Sequence, residues 1–171
     1  MQKDYQVNDT IFYGLQICRV NGVEECSFSG EKKRYYILQP IYHDSSVIYV
    51  PADNEKLTSR IRPMLSAEEI HALIRSIPEC GMEWVENETV RKDKCRAILS
   101  SGDRHALVGL IRTFYRKKQE RESDGKKMRI TDERILKEAE RLISDEFSLV
   151  LHICPEEVLP FIMKEMDEKT K

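Results

Sequence analysis

The pattern of hydrophobic and polar positions divides the chain into a strand-rich part and a helix-rich part. Between Thr10 and Val50, apolar and polar residues alternate in short runs, and this period of two indicates half-buried β-strands. The runs are TIFYG, QICRVNGVEE, RYYILQPI and SVIYVP, with a turn signal around Ser29 and Gly30. Four or five short strands joined by tight turns predict a small twisted barrel of the SH3 or Tudor kind, and Pro51 should close the last strand.

After a linker around LTSRIRPML, the period of the apolar residues becomes that of amphipathic helices. Ser66 and Glu69 have the spacing of a capping box at the start of the first helix. The segment VRKDKCRAILSSG predicts a short helix that stops at Gly102, and Asp103 should cap the helix that follows.

Two more helices complete the predicted second half. A long helix should start at Thr131 or Asp132, and Pro155 fits the first turn of the last helix. The fold class predicted from these patterns is α+β. Residues 1–60 should form a Tudor/SH3-like small β-barrel, and residues 61–171 an all-helical bundle.

Composition narrows the class of protein. The chain has 171 residues, of which 40% are hydrophobic and 34% charged, as expected for a globular domain or two small ones. No apolar run approaches the ~18 residues that a membrane helix needs. The N-terminal segment MQKDYQVNDT lacks the apolar core of a signal peptide, so we expect a cytoplasmic protein without a membrane partner.

Signatures of catalysis are hard to find. The sequence contains no GxxxxGK[ST], GxGxxG, GxSxG or HExxH motif, and we expect no enzyme, no cofactor and no small-molecule substrate. The five cysteines include no CxxC pair, which disfavours a zinc site and a disulfide framework. A buried, inert thiol is the better interpretation of each cysteine. The histidines are dispersed over different predicted elements, and no metal site is expected: His43, His71, His105 and His152.

Positive charge is concentrated in one segment of the chain. The formal net charge of the whole chain is only −2, yet residues 87–129 hold 13 Lys and Arg against 6 Asp and Glu, a net charge of +7. Such a block between acidic flanks is typical of a surface that meets a nucleic-acid backbone. An ordinary solvated helix face is the alternative. For any single lysine or arginine, a solvated surface position is the better interpretation. The concentration of positive charge in the whole segment favours DNA binding.

Several segments resemble a known family. YQVNDTIFYGLQICRVNGVEE is similar to the family's opening strand pair, and RYYILQP and SVIYVPADN are similar to its following strands. CRAILSSGDRHALVGLIRTFYRKKQER and EAERLISDEFSLVL resemble its helical half. In this order the segments resemble the CarD/CdnL family of bacterial RNA polymerase-binding transcription regulators. The first domain of that family is also similar to the polymerase-interacting module of the transcription-repair coupling factor.

The resemblance implies a mechanism with two contacts. The Tudor-like domain would bind the β subunit of RNA polymerase, and the helical domain would contact promoter DNA without reading its sequence and stabilise the open complex. The family's polymerase contacts include two basic residues, and the matching positions here are Cys26 and Tyr49, beside Pro51. An apolar contact with polymerase is therefore expected at these three residues.

On the DNA side, the resemblance implies phosphate contacts and an apolar wedge in the minor groove. Trp84 is the candidate wedge. In the family the wedge tryptophan directly precedes the basic helix, whereas Trp84 lies seven residues before Arg91, so it could instead anchor its loop to the bundle. The candidate DNA-binding residues are Trp84, Arg91, Lys92, Lys94, Arg112, Arg116 and Lys117.

Two other classes of function remain open. A Tudor- or KOW-like adaptor would hold RNA or a protein tail, with aromatic residues clustered on one face of the barrel, and would bind single strands without polymerase. A thiol enzyme would need one cysteine with a lowered pKa.

Overall fold

The computed structural model describes residues 4–28, 30–42 and 46–167 of the chain. The chain forms two compact units, Met1–Met64 and Leu65–Lys171. The first unit is built mainly of strands and the second of helices, which confirms the predicted α+β class. Two residues of the sequence-based predictions, Ser29 and His43, lie outside the described ranges.

Five antiparallel strands form one sheet in the first unit. All four runs that the sequence predicts as strands are present, and the hydrogen-bonded order is β4-β3-β2-β1-β5. A tight turn joins β1 to β2, and Gly14 adopts the left-handed φ of 64° that this turn requires. The strands are β1 (Thr10–Tyr13), β2 (Gln16–Cys26), β3 (Lys33–Pro40), β4 (Ile48–Pro51) and β5 (Ile61–Pro63).

The segment expected to be a linker is structured. A short helix, α1 (Glu55–Thr58), follows β4, and β5 then pairs with β1, where Tyr13 lies opposite Ile61. The isoleucine side chain is buried in the core of the sheet unit. Three residues ending in Pro63 are too few to show an alternating pattern, and proline is tolerated at a sheet edge, so only pairing with β1 reveals this strand.

Alternation along the strands builds the core of this unit. Residues at every second position point inward, and the register of β2 against β3 shifts at an irregularity between Val20 and Gly22, after which Val23 lies opposite the buried Tyr36. The buried Tyr36 keeps its polar end satisfied, because its hydroxyl donates a hydrogen bond to Asp4 at 3.3 Å. The core cluster is Ile11, Cys18, Val20, Tyr36, Leu38, Val50 and Ile61.

The second unit contains five α-helices and one short 3-10 helix within its described residues. No helix in the described part of the chain is long and apolar enough to cross a membrane. The elements are α2 (Ala67–Ser76), the 3-10 helix (Ile77–Glu79), α3 (Glu88–Ser101), α4 (Arg104–Ser123), α5 (Ile130–Leu151) and α6 (Pro155–Asp167).

Local signals set most of the helix ends, as the sequence predicts. The capping box at α2 is complete, because Ser66 Oγ accepts from the Glu69 N–H and the Glu69 carboxylate accepts from the Ser66 N–H. Helix α3 ends at Gly102 with a left-handed φ of 62°, and Asp103 caps α4. The start of α5 differs from the predicted one. The helix begins at Ile130, and Asp132 does not cap it but lies buried in its first turn.

A buried carboxylate joins three segments of the helical unit. Glu146 on α5 accepts a hydrogen bond from the Leu65 N–H at 2.9 Å, just before α2. It also receives two hydrogen bonds from the Arg104 guanidinium on α4, at 2.8 and 3.0 Å. The carboxylate is almost fully buried, so these charge-assisted bonds compensate its loss of hydration.

We predict that Glu146→Ala destabilises the helical unit by about 3–5 kcal/mol, because the mostly buried Arg104 guanidinium loses the carboxylate facing it. Urea unfolding of the full chain, followed by helical circular dichroism, measures the change. Glu138→Ala is the matched control. Its carboxylate pairs with Arg141 in a solvent-accessible position, so the loss should stay below about 1 kcal/mol. Equal losses in both variants would contradict the structural role of Glu146.

Candidate functional site

The first candidate surface is the face of the sheet that points away from the core. Tyr35 and Ile37 alternate along β3 with the buried Tyr36, so their side chains lie on the opposite, outer face. Residues directly opposite in an antiparallel pair share a face. Pro51 lies opposite Tyr35, and Tyr49 lies opposite Ile37, so β3 and β4 together form this outer face.

Three aromatic rings meet on the outer face, and we call them the aromatic cluster: Phe28, Tyr35 and Tyr49. Their ring centroids are 5.1 to 6.5 Å apart, and every pair has an edge-to-face arrangement. Phe28 is 64% exposed and Tyr49 is 45% exposed. Large aromatic side chains held together in solvent are typical of a protein-binding patch rather than of a core.

The structure brings the three predicted polymerase-binding residues to this same face. Tyr49 belongs to the aromatic cluster, and Pro51 lies opposite its Tyr35 member. Cys26 lies opposite Lys33, two positions from Tyr35 along β3, and therefore has the outer-face orientation. Sequence reasoning missed Phe28, because nothing in a single strand pattern shows that a residue after β2 returns to touch β3 and β4.

The second candidate surface lies on α3 and α4, in the segment of high positive charge. Arg91 does not contribute to it, because this side chain is only 1% exposed. Its Nε and Nη2 donate to the buried Asp132 carboxylate at 3.0 and 2.9 Å. Its Nη1 donates to the backbone carbonyls of Val85 and Glu86 at 2.7 and 3.1 Å. The guanidinium is thus directed into the protein, and we leave Arg91 out of the candidate phosphate contacts.

Trp84 packs against the same arginine. The Arg91 guanidinium lies 4.4 Å from the centre of the indole, and the Lys117 ammonium lies 5.6 Å from it. The indole also meets Phe114 edge-to-face at 5.3 Å. These contacts supply the anchoring role that the sequence left open for Trp84, while its role as a wedge stays a prediction. The ring is half-buried, so part of it faces solvent.

Arg112 is tied to the loop before α3. Its Nη1 donates to the carbonyls of Pro78 and Cys80 at 2.7 and 2.6 Å. The loop lies close to α4 at Gly109, where an added Cβ would stand only 3.2 Å from the backbone nitrogen of Gly81. Arg112 therefore holds this loop on the helix, although its side chain remains exposed.

The remaining predicted cations reach solvent. Lys94 is exposed and Lys92 is half-buried. The Arg116 side chain is 66% exposed and lies 3.9 Å from the Glu120 carboxylate. Lys117 pairs with the same carboxylate at 2.8 Å. Exposed pairs of this kind are weakened by solvent and salt, so a phosphate group could replace the carboxylate at little cost.

The cysteines do not offer an activated thiol in the core. Burial raises the pKa of Cys18 and of Cys95 to about 11, so both remain protonated thiols near neutral pH. Among the residues that the structure describes, no group of three or more His, Cys, Asp and Glu side chains could hold a metal ion.

The aromatic cluster of the first unit and the exposed cations of the second are the two candidate surfaces. Residues 5–65 match the family model described as the CarD-like/TRCF RID domain. This match confirms the resemblance to CarD-like proteins and extends over nearly all of the first unit. At the level of this family, the domain has a transcription-related role and interacts with RNA polymerase. No curated protein matches the sequence closely enough to count as a relative.

We predict that Arg91→Ala lowers the free energy of unfolding by about 3–5 kcal/mol, because the buried Asp132 carboxylate loses its counter-ion. Lys94→Ala removes a cation from the exposed surface of the same helix and should cost less than about 0.5 kcal/mol. Arg91→Met combined with Asp132→Leu should recover part of the loss, because neither charge is then left buried. Urea unfolding of the unmodified protein and these three variants gives the free energies to compare. An Arg91→Ala protein of normal stability would contradict the buried role.

Proposed function

We propose that this protein is a bacterial transcription regulator that binds the β subunit of RNA polymerase through its first unit and promoter DNA through its second. By this contact with DNA it stabilises the open complex and does not read the sequence. The observation that carries the proposal is the aromatic cluster on the outer face of a domain whose family interacts with polymerase. We propose binding rather than catalysis, in the cytoplasm, where bacterial polymerase works.

The chemistry of the outer face supports an apolar contact with polymerase. Tyrosine rings at an interface bury a large apolar area and keep a hydroxyl for hydrogen bonding, which makes them common hot spots. Tyr49 also lies on β4, the last strand in the hydrogen-bonded order, so an extended segment of a partner could pair beside it. Cys26 carries no charge, so the ion pair of other family members is replaced by packing around these residues.

The cations of the second unit support a contact with DNA phosphates. Lys92, Lys94, Arg116 and Lys117 are partly or fully exposed and extend from two helices. Phosphate contacts position a protein on the duplex without reading its sequence. Binding through a few phosphates is weak by itself. Attachment to polymerase raises the local concentration of the helical unit near DNA, so weak binding suffices.

The proposal also gives Trp84 a specific role, as the wedge in the minor groove. Its half-buried indole lines a small cavity of about 150 Å³ together with Lys117, Arg121 and Lys126. Cations beside an aromatic ring could hold the phosphates that flank an unstacked base step, where the ring acts as a wedge. Glu86, Glu120 and Asp124 also line this cavity, so DNA would have to displace Glu120 from its ion pair with Lys117.

A second candidate function shares the same outer face. Clustering of Phe28, Tyr35 and Tyr49 on one side of the sheet is also what a Tudor- or KOW-like adaptor for RNA would show, because exposed rings can stack on bases. The two functions differ in their dependence on polymerase. An adaptor of this kind binds single-stranded RNA by itself, whereas the favoured function requires the polymerase β subunit.

We predict that Tyr49→Glu in the full chain weakens binding to purified RNA polymerase at least tenfold, because a charge enters an apolar contact. Val7→Glu is the matched control: Val7 is an exposed apolar residue of the same unit outside the aromatic cluster, and its replacement should leave affinity unchanged. Biolayer interferometry with immobilised polymerase measures both. Equal affinity of Tyr49→Glu and the unmodified protein, with the fold intact, would refute docking through this face.

For DNA, we predict that replacing Lys94 and Arg116 together with Ala flattens the salt dependence of binding to duplex DNA. Each lost phosphate contact should reduce the slope of log K against log[salt] by about 0.9, so the double variant should lose nearly two units. Arg134→Ala, an exposed cation on α5 outside the +7 segment, is the control and should leave the slope unchanged. Fluorescence anisotropy at several salt concentrations gives the slopes. A solvated helix face predicts no difference among the three proteins.

A further inference from the structure

An open apolar groove runs between α4 and α6, with α5 at its base. Its volume is about 710 Å³. On α4, the lining residues recur at intervals of three or four positions over about three turns, so one face of the helix forms the whole wall. The principal apolar residues of the groove are Val108, Ile111, Tyr115, Ile143, Leu159 and Met163.

The apolar walls of this groove face solvent. Three apolar residues that line the groove are open to solvent: Met163 is 66% exposed, and Ile111 and Leu159 are half-buried. Leaving large aliphatic side chains beside water forgoes the stabilisation that their burial would give. The volume lies within the range of 300–1,000 Å³ that is typical of small-ligand sites. An occupant with an apolar body would therefore gain most of its affinity from these walls.

Positive charge stands at the margin of the groove. Arg112 and Arg116 both line it and lie one helical turn apart, so their side chains share a face of α4. Two carboxylates lie near this margin: Glu140 accepts a hydrogen bond from the Tyr115 hydroxyl, and Glu120 lies 2.8 Å from Lys117 and 3.9 Å from Arg116. An anionic group at this margin would meet the guanidinium groups of Arg112 and Arg116 and would compete with Glu120 for Arg116.

We propose that this groove binds a single-chain anionic amphiphile, such as a long-chain carboxylate, with its apolar chain on Ile111 and Met163 and its head group on Arg116. The match between an apolar groove and a cationic margin selects this occupant over an uncharged one. A flat apolar contact between two copies of the chain would leave both arginines facing an apolar surface. The proposal shares Arg116 with the proposed DNA contact but does not depend on DNA or polymerase binding, because it rests on the shape and lining of the groove.

The test uses the full chain and cis-parinaric acid, a carboxylate whose fluorescence rises in apolar surroundings, below its micelle concentration. We expect saturable binding of one molecule per chain, displaced by laurate. Dodecanol has a chain of the same length without the charge, and should displace the probe at least tenfold less well. Arg116→Gln should weaken laurate about tenfold and leave dodecanol unchanged, whereas Arg134→Gln, a charge-matched control outside the groove, should change neither.

Ile111→Trp tests the location of the site, because the indole should fill the groove and abolish binding of both compounds. Circular dichroism and a melting curve establish that this variant is folded. Should it fail to fold, Leu159→Trp fills the opposite wall and takes its place. Four outcomes would overturn the proposal: no saturable binding, equal displacement by dodecanol and laurate, unchanged binding in the filled variant, or a dimer in sedimentation that the filled variant disrupts and laurate does not, since a second copy would then cover the groove.

Discussion

The buried ion pair between Arg91 and Asp132 organises the part of the helical unit that carries most of the positive charge. One guanidinium joins the start of α5, the two loop carbonyls before α3 and the face of the Trp84 indole. The indole in turn rests on Phe114 of α4. Because a buried charge is tolerated only with its counter-ion and hydrogen bonds in place, these segments must come together as a set. The residues that reach solvent from α3 and α4 depend on this arrangement for their positions.

Each unit offers a different chemistry to a partner. The sheet unit displays exposed aromatic rings on the outer face of β3 and β4, which suit a protein surface. The helical unit displays lysine and arginine side chains, which suit a polyanion such as DNA. The sheet unit matches a family whose domain interacts with RNA polymerase. In the proposed function, a strong protein contact is combined with a weak, sequence-independent DNA contact on the same chain.

Much of the fold is predictable from the sequence because local rules set it. The capping box at Ser66, the left-handed Gly102 and the alternation of the first four strands depend on residues only a few positions apart. What the sequence does not reveal depends on distant partners. The strand β5 exists only by pairing with β1, and the burial of Arg91 depends on a carboxylate 41 positions away. Phe28, which lies beyond the end of β2, likewise joins its cluster only by contact with Tyr35 on β3 and Tyr49 on β4.

The lifetime of the promoter open complex is the quantity that the proposed polymerase and DNA contacts should change together. Purified polymerase and a promoter fragment are allowed to form the complex, a competitor is added, and decay is followed with and without this protein. We expect a lifetime several-fold longer with the unmodified chain. That gain should disappear both with Tyr49→Glu and with the Lys94→Ala, Arg116→Ala double variant. An unchanged lifetime, or a gain that survives both sets of substitutions, would contradict the proposed function.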